Sequence, residues 1–309
     1  MTHKSLLTFS DWQPHEAEQL LVLALDVKRA PHKYAQSLAG KSLIALFEKP
    51  SLRTRVSFDI GINKLGGHLV YLDSQSNNLA GREDVRDMGA NFACWADAII
   101  ARVFSHDTLK ALDDSADIPV INALCDKYHP CQALADYLGM YETFGKVKGL
   151  TLAYVGDGNN VTHSLLILGA LLGCHQWVVT PEGYEVDAGI LAVAKAIAEK
   201  TNTQIHVTNS IAEMSENSNG VDVIYTDTWL SMGDDTPLAD IKETFMPYQV
   251  NEALLAGCNT KYVMHCQPAH RDLEITGSLM DSKASLLMLQ AENRMHAQNA
   301  ILVQLLAND

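Results

Sequence analysis

Short, continuous apolar runs alternate with segments of helical spacing over the first half of the chain. The run at 43–47 is followed by a helix-like segment from about Leu52 to Leu65, and a Gly-Gly pair separates that segment from the next run, at 68–72. Strands of parallel sheets are buried on both faces, so they appear in a sequence as unbroken apolar runs. We therefore predict a parallel sheet with helices on both faces.

The same alternation starts again near residue 149, with strand-like runs at 149–155, 177–180, 204–208, 221–226 and 262–265. The predicted fold class is α/β: two doubly wound parallel-sheet domains joined by helices, with the active site in the interdomain cleft. We expect the first domain to take residues 1–135 together with the C-terminal helix at 289–309. The second domain is expected to take residues 136–288.

Composition restricts the class of partner. The chain has 309 residues and a formal net charge of −14, from 23 Lys+Arg against 37 Asp+Glu. Such an acidic chain repels polyanions, and no Lys/Arg run offers a basic face, so we expect no nucleic acid. The six cysteines form no C-x-x-C pair, and the longest apolar stretch, 165–174, is too short to span a bilayer. We expect a cytoplasmic protein with reduced thiols and no membrane partner.

The stretch S-L-R-T-R, residues 51–55, concentrates cationic and hydroxyl side chains in the first turn of a predicted helix. That end of a helix carries unpaired N–H groups and a partial positive charge. Arg53 and Arg55 therefore oppose the helix dipole unless an anion is bound, and Ser51 and Thr54 add hydroxyl donors. Pairing of the arginines with surface carboxylates is the alternative, but the combination favours an anion site. The phosphate-binding motif G-x-x-x-x-G-K-[ST] is absent.

Polar side chains also follow several other predicted strands, where ligands bind in open α/β sheets. Each of them alone has a structural alternative: a salt bridge, a helix cap or, for the thiol, a small buried apolar side chain. The candidates are Arg102, His129, Gln132, Asp227 and Cys266.

Two other stretches of the chain could indicate a cofactor or a metal. V-G-D-G-N-N-V has Gly156 and Gly158 of a dinucleotide fingerprint, but Val161 replaces the third glycine. His265, Cys266 and His270 could suggest zinc, but no fourth ligand accompanies them at a typical spacing. Both signals are therefore weak.

Taken in order, six stretches make the sequence similar to the aspartate/ornithine carbamoyltransferase family over nearly its whole length. They are S-L-R-T-R (51–55), H-P-C-Q (129–132), G-D-G-N-N (156–160), D-T-W-L-S-M-G (227–233), H-C-Q-P (265–268) and A-E-N-R (291–294). The stretch at 227–233 resembles the signature with which ornithine-specific members bind ornithine. The resemblance implies transfer of a carbamoyl group from carbamoyl phosphate to the δ-amine of L-ornithine, giving L-citrulline and phosphate, in arginine biosynthesis.

The resemblance also implies roles at matching positions. It assigns carbamoyl phosphate to the first domain and ornithine to the second, with no metal or cofactor, in a homotrimer or an assembly of trimers. Arg102, His129, Asp227 and Cys266 would be catalytic. The implied carbamoyl-phosphate-binding residues are Ser51, Leu52, Arg53, Thr54, Arg55, Arg102, His129, Gln132, Cys266, Gln267 and Arg294. The implied ornithine-binding residues are Asn160, Asp227, Ser231 and Met232, and a neighbouring subunit would add a loop near 75–82 that carries Asn78.

Two positions depart from the family's motifs. Gln267 stands where ornithine-specific members commonly have leucine, and Asn78 stands where they usually have glutamine. Only the backbone carbonyl is usually needed at position 267, so we expect activity to survive. The alternatives are a nicotinamide dehydrogenase built on G-D-G-N-N and an inactive relative that serves as a binding or scaffold protein.

Overall fold

The computed structural model of the chain describes residues 3–73, 83–218, 220–229 and 237–307. The chain forms two compact units. Unit 1 comprises Met1–Leu138 and Asn293–Asp309, and unit 2 comprises Gly139–Glu292. Both boundaries fall inside helices, Pro130–Phe144 and Leu287–Leu306, so two helices are shared between the units. No helix in the described part of the chain is long and apolar enough to cross a membrane.

Unit 1 is built on a four-stranded parallel sheet of order β2-β1-β3-β4. Its strands and helices, numbered along the described residues, are α1 (Pro14–Arg29), β1 (Ser42–Phe47), α2 (Leu52–Lys64), β2 (His68–Asp73), α3 (Val85–Ala93), β3 (Ala98–Arg102), α4 (His106–Ser115), β4 (Val120–Leu124) and α5 (Pro130–Phe144).

The central strands of this sheet are buried, as their apolar runs predict. All of β3 is buried, and so is β1 after Ser42. Strand β4 begins directly after Pro119, which has no N–H to donate to the sheet. Beside β4 lies an N-terminal segment that the pattern did not predict, and Leu6 forms a parallel bridge with Ile121.

Unit 2 is built on a five-stranded parallel sheet of order β7-β6-β5-β8-β9. Its elements are β5 (Thr151–Val155), α6 (Asn160–Leu171), β6 (His175–Val179), α7 (Ala188–Thr201), β7 (Ile205–Thr208), α8 (Ile211–Asn217), β8 (Val223–Thr226), α9 (Leu238–Phe245), α10 (Glu252–Gly257), β9 (Tyr262–His265), α11 (Gly277–Met280) and the first part of α12 (Leu287–Leu306).

The core of unit 2 surrounds this sheet. Helix α6 is buried from Val161 to Leu171, which explains why its sequence is apolar on all sides from Leu165 onward. The short helices α8 to α11 were not predicted, since a helix of a few residues presents too few positions for a periodic pattern. A smaller cluster of Trp229, Ile241 and Phe245 packs beside the end of β8.

Candidate active site

In unit 1, the carboxyl ends of adjacent strands bring three of the predicted stretches together. Phe47, the last residue of β1, is in register with Arg102, the last residue of β3, and Arg102 is in turn in register with Leu124 of β4. Ser51 follows β1, and His129 follows β4. This edge of the sheet is where ligands of open α/β sheets bind.

Helix α2 begins at this edge with a hydroxyl pair. Ser51 is its N-cap residue, and its Oγ accepts a hydrogen bond from the Thr54 N–H at 3.3 Å and donates one to Thr54 Oγ1 at 2.8 Å. Such a cap satisfies one of the free N–H groups of the first turn. Thr54 is completely buried. The cap therefore fixes the orientation of the Thr54 hydroxyl.

Arg294 of α12 connects the three stretches. Its Nη2 donates to Thr54 Oγ1 at 2.6 Å and lies 3.4 Å from His129 Nε2. Its Nη1 donates to Gln132 Oε1 at 3.1 Å, and the Gln132 amide nitrogen donates to the buried Asp136 carboxylate at 2.8 Å. All five side chains are buried, so this network holds a guanidinium rigidly inside unit 1.

Arg102 adds a second buried guanidinium to this cluster. Its side chain is 3% exposed, and its Nε has no hydrogen-bond partner among the described residues. Burial, followed by repulsion from Arg294, lowers the pKa of Arg102 from 12.5 to about 10. Two buried cations that repel each other create a strong local preference for an anion.

His129 is held in its neutral form. Burial, with the added repulsion of Arg294 and Arg102, lowers its pKa well below 6.5. Because a guanidinium can only donate hydrogen bonds, the His129 Nε2 that faces Arg294 is the accepting nitrogen and the proton lies on Nδ1. The imidazole is therefore a hydrogen-bonding group rather than a third cation.

The other members of S-L-R-T-R lie on the surface of unit 1. Leu52, Arg53 and Arg55 are exposed. Arg55 stacks on the ring of Tyr71, with its guanidinium carbon 4.0 Å from the ring centroid. Tyr71 was not predicted as a site residue, and it would not be recognised from sequence because it is one of several apolar residues on β2.

In unit 2, the carboxyl ends of the adjacent strands β5, β8 and β9 bring a second set together. Asp227 follows β8 and is 6% exposed. Its Oδ1 accepts hydrogen bonds from Thr228 N–H at 2.8 Å and from Cys266 Sγ at 2.9 Å, and its Oδ2 accepts one from Asn159 Nδ2 at 2.9 Å. A carboxylate held on both oxygens is fixed in position.

The G-D-G-N-N loop supplies Asn159 to this set. Asn159 caps α6 by accepting from Val161 N–H at 3.0 Å, while its amide group donates to Asp227. Asn160 is the first residue of α6. A Cβ on Gly158 would lie 2.5 Å from the Val186 nitrogen, so this glycine serves contact with another backbone segment of the unit rather than the approach of a pyrophosphate. This arrangement does not favour the dinucleotide hypothesis.

Cys266 and Gln267 follow β9 with an uncommon backbone. Cys266 is half-buried, and Gln267 has φ +60°, in the left-handed region, before a cis bond to Pro268. The Gln267 N–H donates to His265 Nδ1 at 2.9 Å. The loop thus turns sharply and directs the Cys266 thiol toward Asp227.

One group of potential metal ligands occurs among the described residues: Asp227, His265 and Cys266, with ligand atoms within 4.8 Å of one another. It includes Asp227 in place of His270, which the sequence suggested. Both ring nitrogens of His265 are already engaged, Nδ1 by Gln267 and Nε2 by Glu274. His265 therefore cannot bind a metal without losing one of these bonds.

Three predicted site residues, Asn78, Ser231 and Met232, lie outside the described residues. Other contributors were missed by the sequence analysis. Asn159 bonds Asp227, and Glu274 lies behind the H-C-Q-P loop. The capping position of Asn159 could have been found from the helix-start signal; Glu274 has no local sequence signal.

The chain matches two known domain families in succession. Residues 4–142 match the family description "Aspartate/ornithine carbamoyltransferase, carbamoyl-P binding domain", and residues 148–305 match the companion "Asp/Orn binding domain". The chain belongs to the aspartate/ornithine carbamoyltransferase family. The two matched segments account for most of its length, as the motif order predicted.

Individual relatives are similar over their full length. An ornithine carbamoyltransferase of Moritella abyssi is 54% identical over 303 residues, which cover 98% of this chain and 99% of the relative. One from Shewanella oneidensis is 51% identical over 302 residues, with 98% and 99% covered. The solved structure of ornithine carbamoyltransferase from Pyrococcus furiosus superimposes with a TM-score of 0.93 at 40% identity, covering 99% of this chain and 98% of that one.

Proposed function

We infer that this protein transfers the carbamoyl group of carbamoyl phosphate to the δ-amine of L-ornithine, giving L-citrulline and phosphate. The observation that carries this conclusion is the buried cluster of Arg102, Arg294, neutral His129 and Thr54 in unit 1. In a member of this carbamoyltransferase family, that cluster is suited to an anionic acyl phosphate.

The carbamoyl phosphate would be bound in two parts. The phosphate would contact the start of α2, through Ser51, the Leu52 backbone, Arg53, Thr54 and Arg55. Its carbonyl oxygen, which gains negative charge during attack, would be stabilised by donors from Thr54, Arg102 and His129. Gln132 and Arg294, which bond to each other inside this cluster, would also contact carbamoyl phosphate. Cys266 and Gln267 would contribute contacts to the carbamoyl group.

Ornithine would be bound through the Asp227 set. Asp227 is a buried carboxylate and would attract the ammonium groups of the substrate, with Asn160 beside it. We retain Ser231 and Met232 as predicted ornithine contacts and Asn78 as the predicted contribution of a neighbouring subunit. The free δ-amine has a pKa near 10 and must lose a proton before it attacks.

The reaction itself requires few covalent steps. The neutral amine nitrogen forms a bond to the carbonyl carbon, the bond from that carbon to the phosphate oxygen breaks, and phosphate leaves with the electron pair. The departing phosphate takes up the proton that the attacking nitrogen releases. Holding the two substrates in attack geometry supplies much of the acceleration. The buried arginines supply the rest by stabilising the developing negative charge.

We also propose that the protein works as a homotrimer in the cytoplasm, in arginine biosynthesis. An apolar stripe on α2 supports the assembly: Leu52, Val56 and Ile60 recur every four residues and are 77%, 43% and 47% exposed. Such a stripe beside the phosphate-binding turn is best covered by another copy of the chain, because that copy would also exclude water from the site.

A colorimetric citrulline assay with a panel of amines tests the function. Carbamoyl phosphate would be supplied with ornithine, acetylornithine, succinylornithine, putrescine or aspartate. We expect rapid ureido product with ornithine alone. Preference for another amine would contradict the assignment of ornithine, and thermal stabilisation by NAD(H) without any turnover would favour the dehydrogenase.

A further inference from the structure

A buried glutamate lies behind the H-C-Q-P loop of unit 2. Glu274 is completely buried, and His265 and His270 lie beside its carboxylate. His265 Nε2 lies 3.0 Å from Glu274 Oε1, and the His270 backbone N–H donates to the same oxygen. The His270 ring lies 3.5 Å from the other carboxylate oxygen. A buried carboxylate is costly unless partners satisfy it. Oε1 accepts hydrogen bonds, whereas Oε2 has no hydrogen-bond partner among the described residues and lies only at ion-pair distance from the His270 ring.

These contacts determine the tautomer of His265. The Gln267 N–H can only donate, so His265 Nδ1 is the accepting nitrogen and the ring proton lies on Nε2, directed at Glu274 Oε1. Nδ1 is then free of a proton and accepts the Gln267 N–H at 2.9 Å. The His265 backbone N–H also donates to Gln290 Oε1 at 2.9 Å. The His265 ring therefore connects the Glu274 carboxylate to the backbone N–H of Gln267, the residue after Cys266.

The consequence is a fixed thiol. Gln267 adopts φ +60°, which is uncommon for a residue other than glycine, and its N–H bond to His265 holds that conformation. Cys266 lies between the two bonded residues and donates to Asp227 Oδ1 at 2.9 Å. The loop conformation thus determines where Asp227 and Cys266 meet.

A second connection reaches the same carboxylate. The His270 ring contacts Thr228 Oγ1 at 3.3 Å, and the Thr228 N–H donates to Asp227 Oδ1 at 2.8 Å. Glu274 is therefore linked to Asp227 through His265 and Cys266 on one side and through His270 and Thr228 on the other.

We propose that Glu274 is a positioning residue for the amino-acid substrate: its acceptor oxygen holds the His265 ring and thereby the Asp227–Cys266 pair. This proposal rests on the proposed function, since ornithine is the substrate that Asp227 would bind. A merely structural Glu274 would stabilise unit 2 without affecting the amino-acid site in particular.

Two substitutions of similar size separate these roles. Glu274→Gln keeps a carbonyl oxygen that accepts from His265 Nε2–H, whereas Glu274→Met keeps the length but offers only a weak thioether acceptor. Glu252→Gln and Glu252→Met are the matched controls. Glu252 lies in the same unit, and its exposed carboxylate accepts from Ser278 Oγ at 2.6 Å, outside the network described here.

Two readouts are needed. The first compares the change in the KM for ornithine with the changes in kcat and in the Kd of carbamoyl phosphate. The second is the rate at which iodoacetamide alkylates Cys266, which requires no turnover. Cys94 is the exposed cysteine among six, so the alkylation is measured in a Cys94→Ser background.

We expect Glu274→Met to raise the KM for ornithine by roughly 10- to 100-fold, the scale on which a small misplacement in a site acts. Carbamoyl phosphate affinity should stay unchanged, and Cys266 alkylation should become faster. Glu274→Gln and both Glu252 variants should resemble the wild type in these readouts. If Glu274→Met does not fold, a raised KM or faster alkylation in the folded Glu274→Gln variant would still overturn the proposal.

Loss of kcat alone in Glu274→Met, with ornithine KM and Cys266 alkylation unchanged, would show that the role is only structural and would overturn the proposal. The proposed function is tested separately, because its failure would appear as absent wild-type turnover with ornithine. Alkylation of Cys266 would still report whether Glu274 fixes the loop.

Discussion

At the scale of single residues, the functional assignment depends on cationic and polar side chains that are buried together in unit 1. Arg102, His129 and Arg294 are each less than 7% exposed and lie close to one another. A protein selected for stability alone gains little from buried cations that repel each other. Their retention is explained if an anionic substrate completes the cluster.

Replacing Arg102 with methionine should remove much of this anion preference while filling similar space. We expect kcat/KM for carbamoyl phosphate to fall about 100-fold or more, on the scale of losing one donor to a developing charge. Steady-state kinetics measures the loss, and Arg86→Met on α3 is an exposed control. Rates near the wild type would contradict the role of Arg102.

Asp227→Asn tests the proposed binding of ornithine. The amide keeps the size of the side chain but removes the charge that would attract the ornithine ammonium group. We expect the KM for ornithine to rise at least about tenfold, while the Kd of carbamoyl phosphate, from calorimetry, stays within a few-fold. Equal damage to both substrates would mean that Asp227 only supports the fold.

His129 should make stability depend on pH. Its pKa in the folded chain is well below 6.5, whereas an unfolded histidine has a pKa near 6.5. As the pH falls below about 6.5 the unfolded chain binds a proton that the folded chain does not, so stability decreases.

His129→Gln removes this proton uptake. Its free energy of unfolding should fall less steeply with acidification than that of the wild type, by up to about 1.4 kcal/mol per pH unit. Urea unfolding at about pH 7.5, 6.5 and 5.5, without phosphate, measures the slopes. Parallel slopes for the two proteins would contradict the buried neutral imidazole. Burial also lowers the pKa of His106, so some slope should remain in the variant.

At the scale of elements, the site depends on loops that follow strands and on the helices that they start. The loop before α6 is packed against backbone: a Cβ on Gly158 would lie within 2.7 Å of atoms of residues 184–186. Because backbone cannot move aside as a flexible side chain can, the loop itself must shift when a methyl group is added.

Gly158→Ala should therefore destabilise the protein by roughly 1–3 kcal/mol and raise the KM for ornithine through displaced Asn159. Thermal unfolding and ornithine kinetics are the measurements. Gly257→Ala is the control, since a Cβ there meets nothing within 4 Å. A Gly158→Ala protein as stable and as active as the control would refute the close approach.

Many of the strands and helix starts could be predicted from the sequence. Strands buried on both faces give unbroken apolar runs, so β1 and β9 were found within a residue. The first turn of α2 was identified from its charges and hydroxyls. The bond from Asn159 to Asp227, the stacking of Arg55 on Tyr71 and the Glu274 network join residues that are distant in sequence. No local pattern encodes such contacts, because they arise from strand order and register.

At the scale of the whole molecule, we expect the exposed apolar stripe of α2 to be covered by another copy of the chain. Val56→Asp places a charge in the middle of that stripe and should turn a trimer into monomers, with loss of activity. Light scattering after size-exclusion chromatography measures the mass. Val193→Asp on α7 is the matched control at similar exposure, 41% against 43%. A trimeric Val56→Asp protein would place the interface elsewhere.

The central claim is that the chain moves a carbamoyl group from an acyl phosphate to ornithine. The most direct measurement follows carbamoyl phosphate labelled isotopically at its carbonyl carbon by NMR, with ornithine and the purified protein. The account predicts that the label appears in the ureido carbon of citrulline, together with one phosphate per product, and that Arg102→Met slows this conversion severely. Release of phosphate without labelled citrulline, or citrulline at the uncatalysed rate, would contradict it.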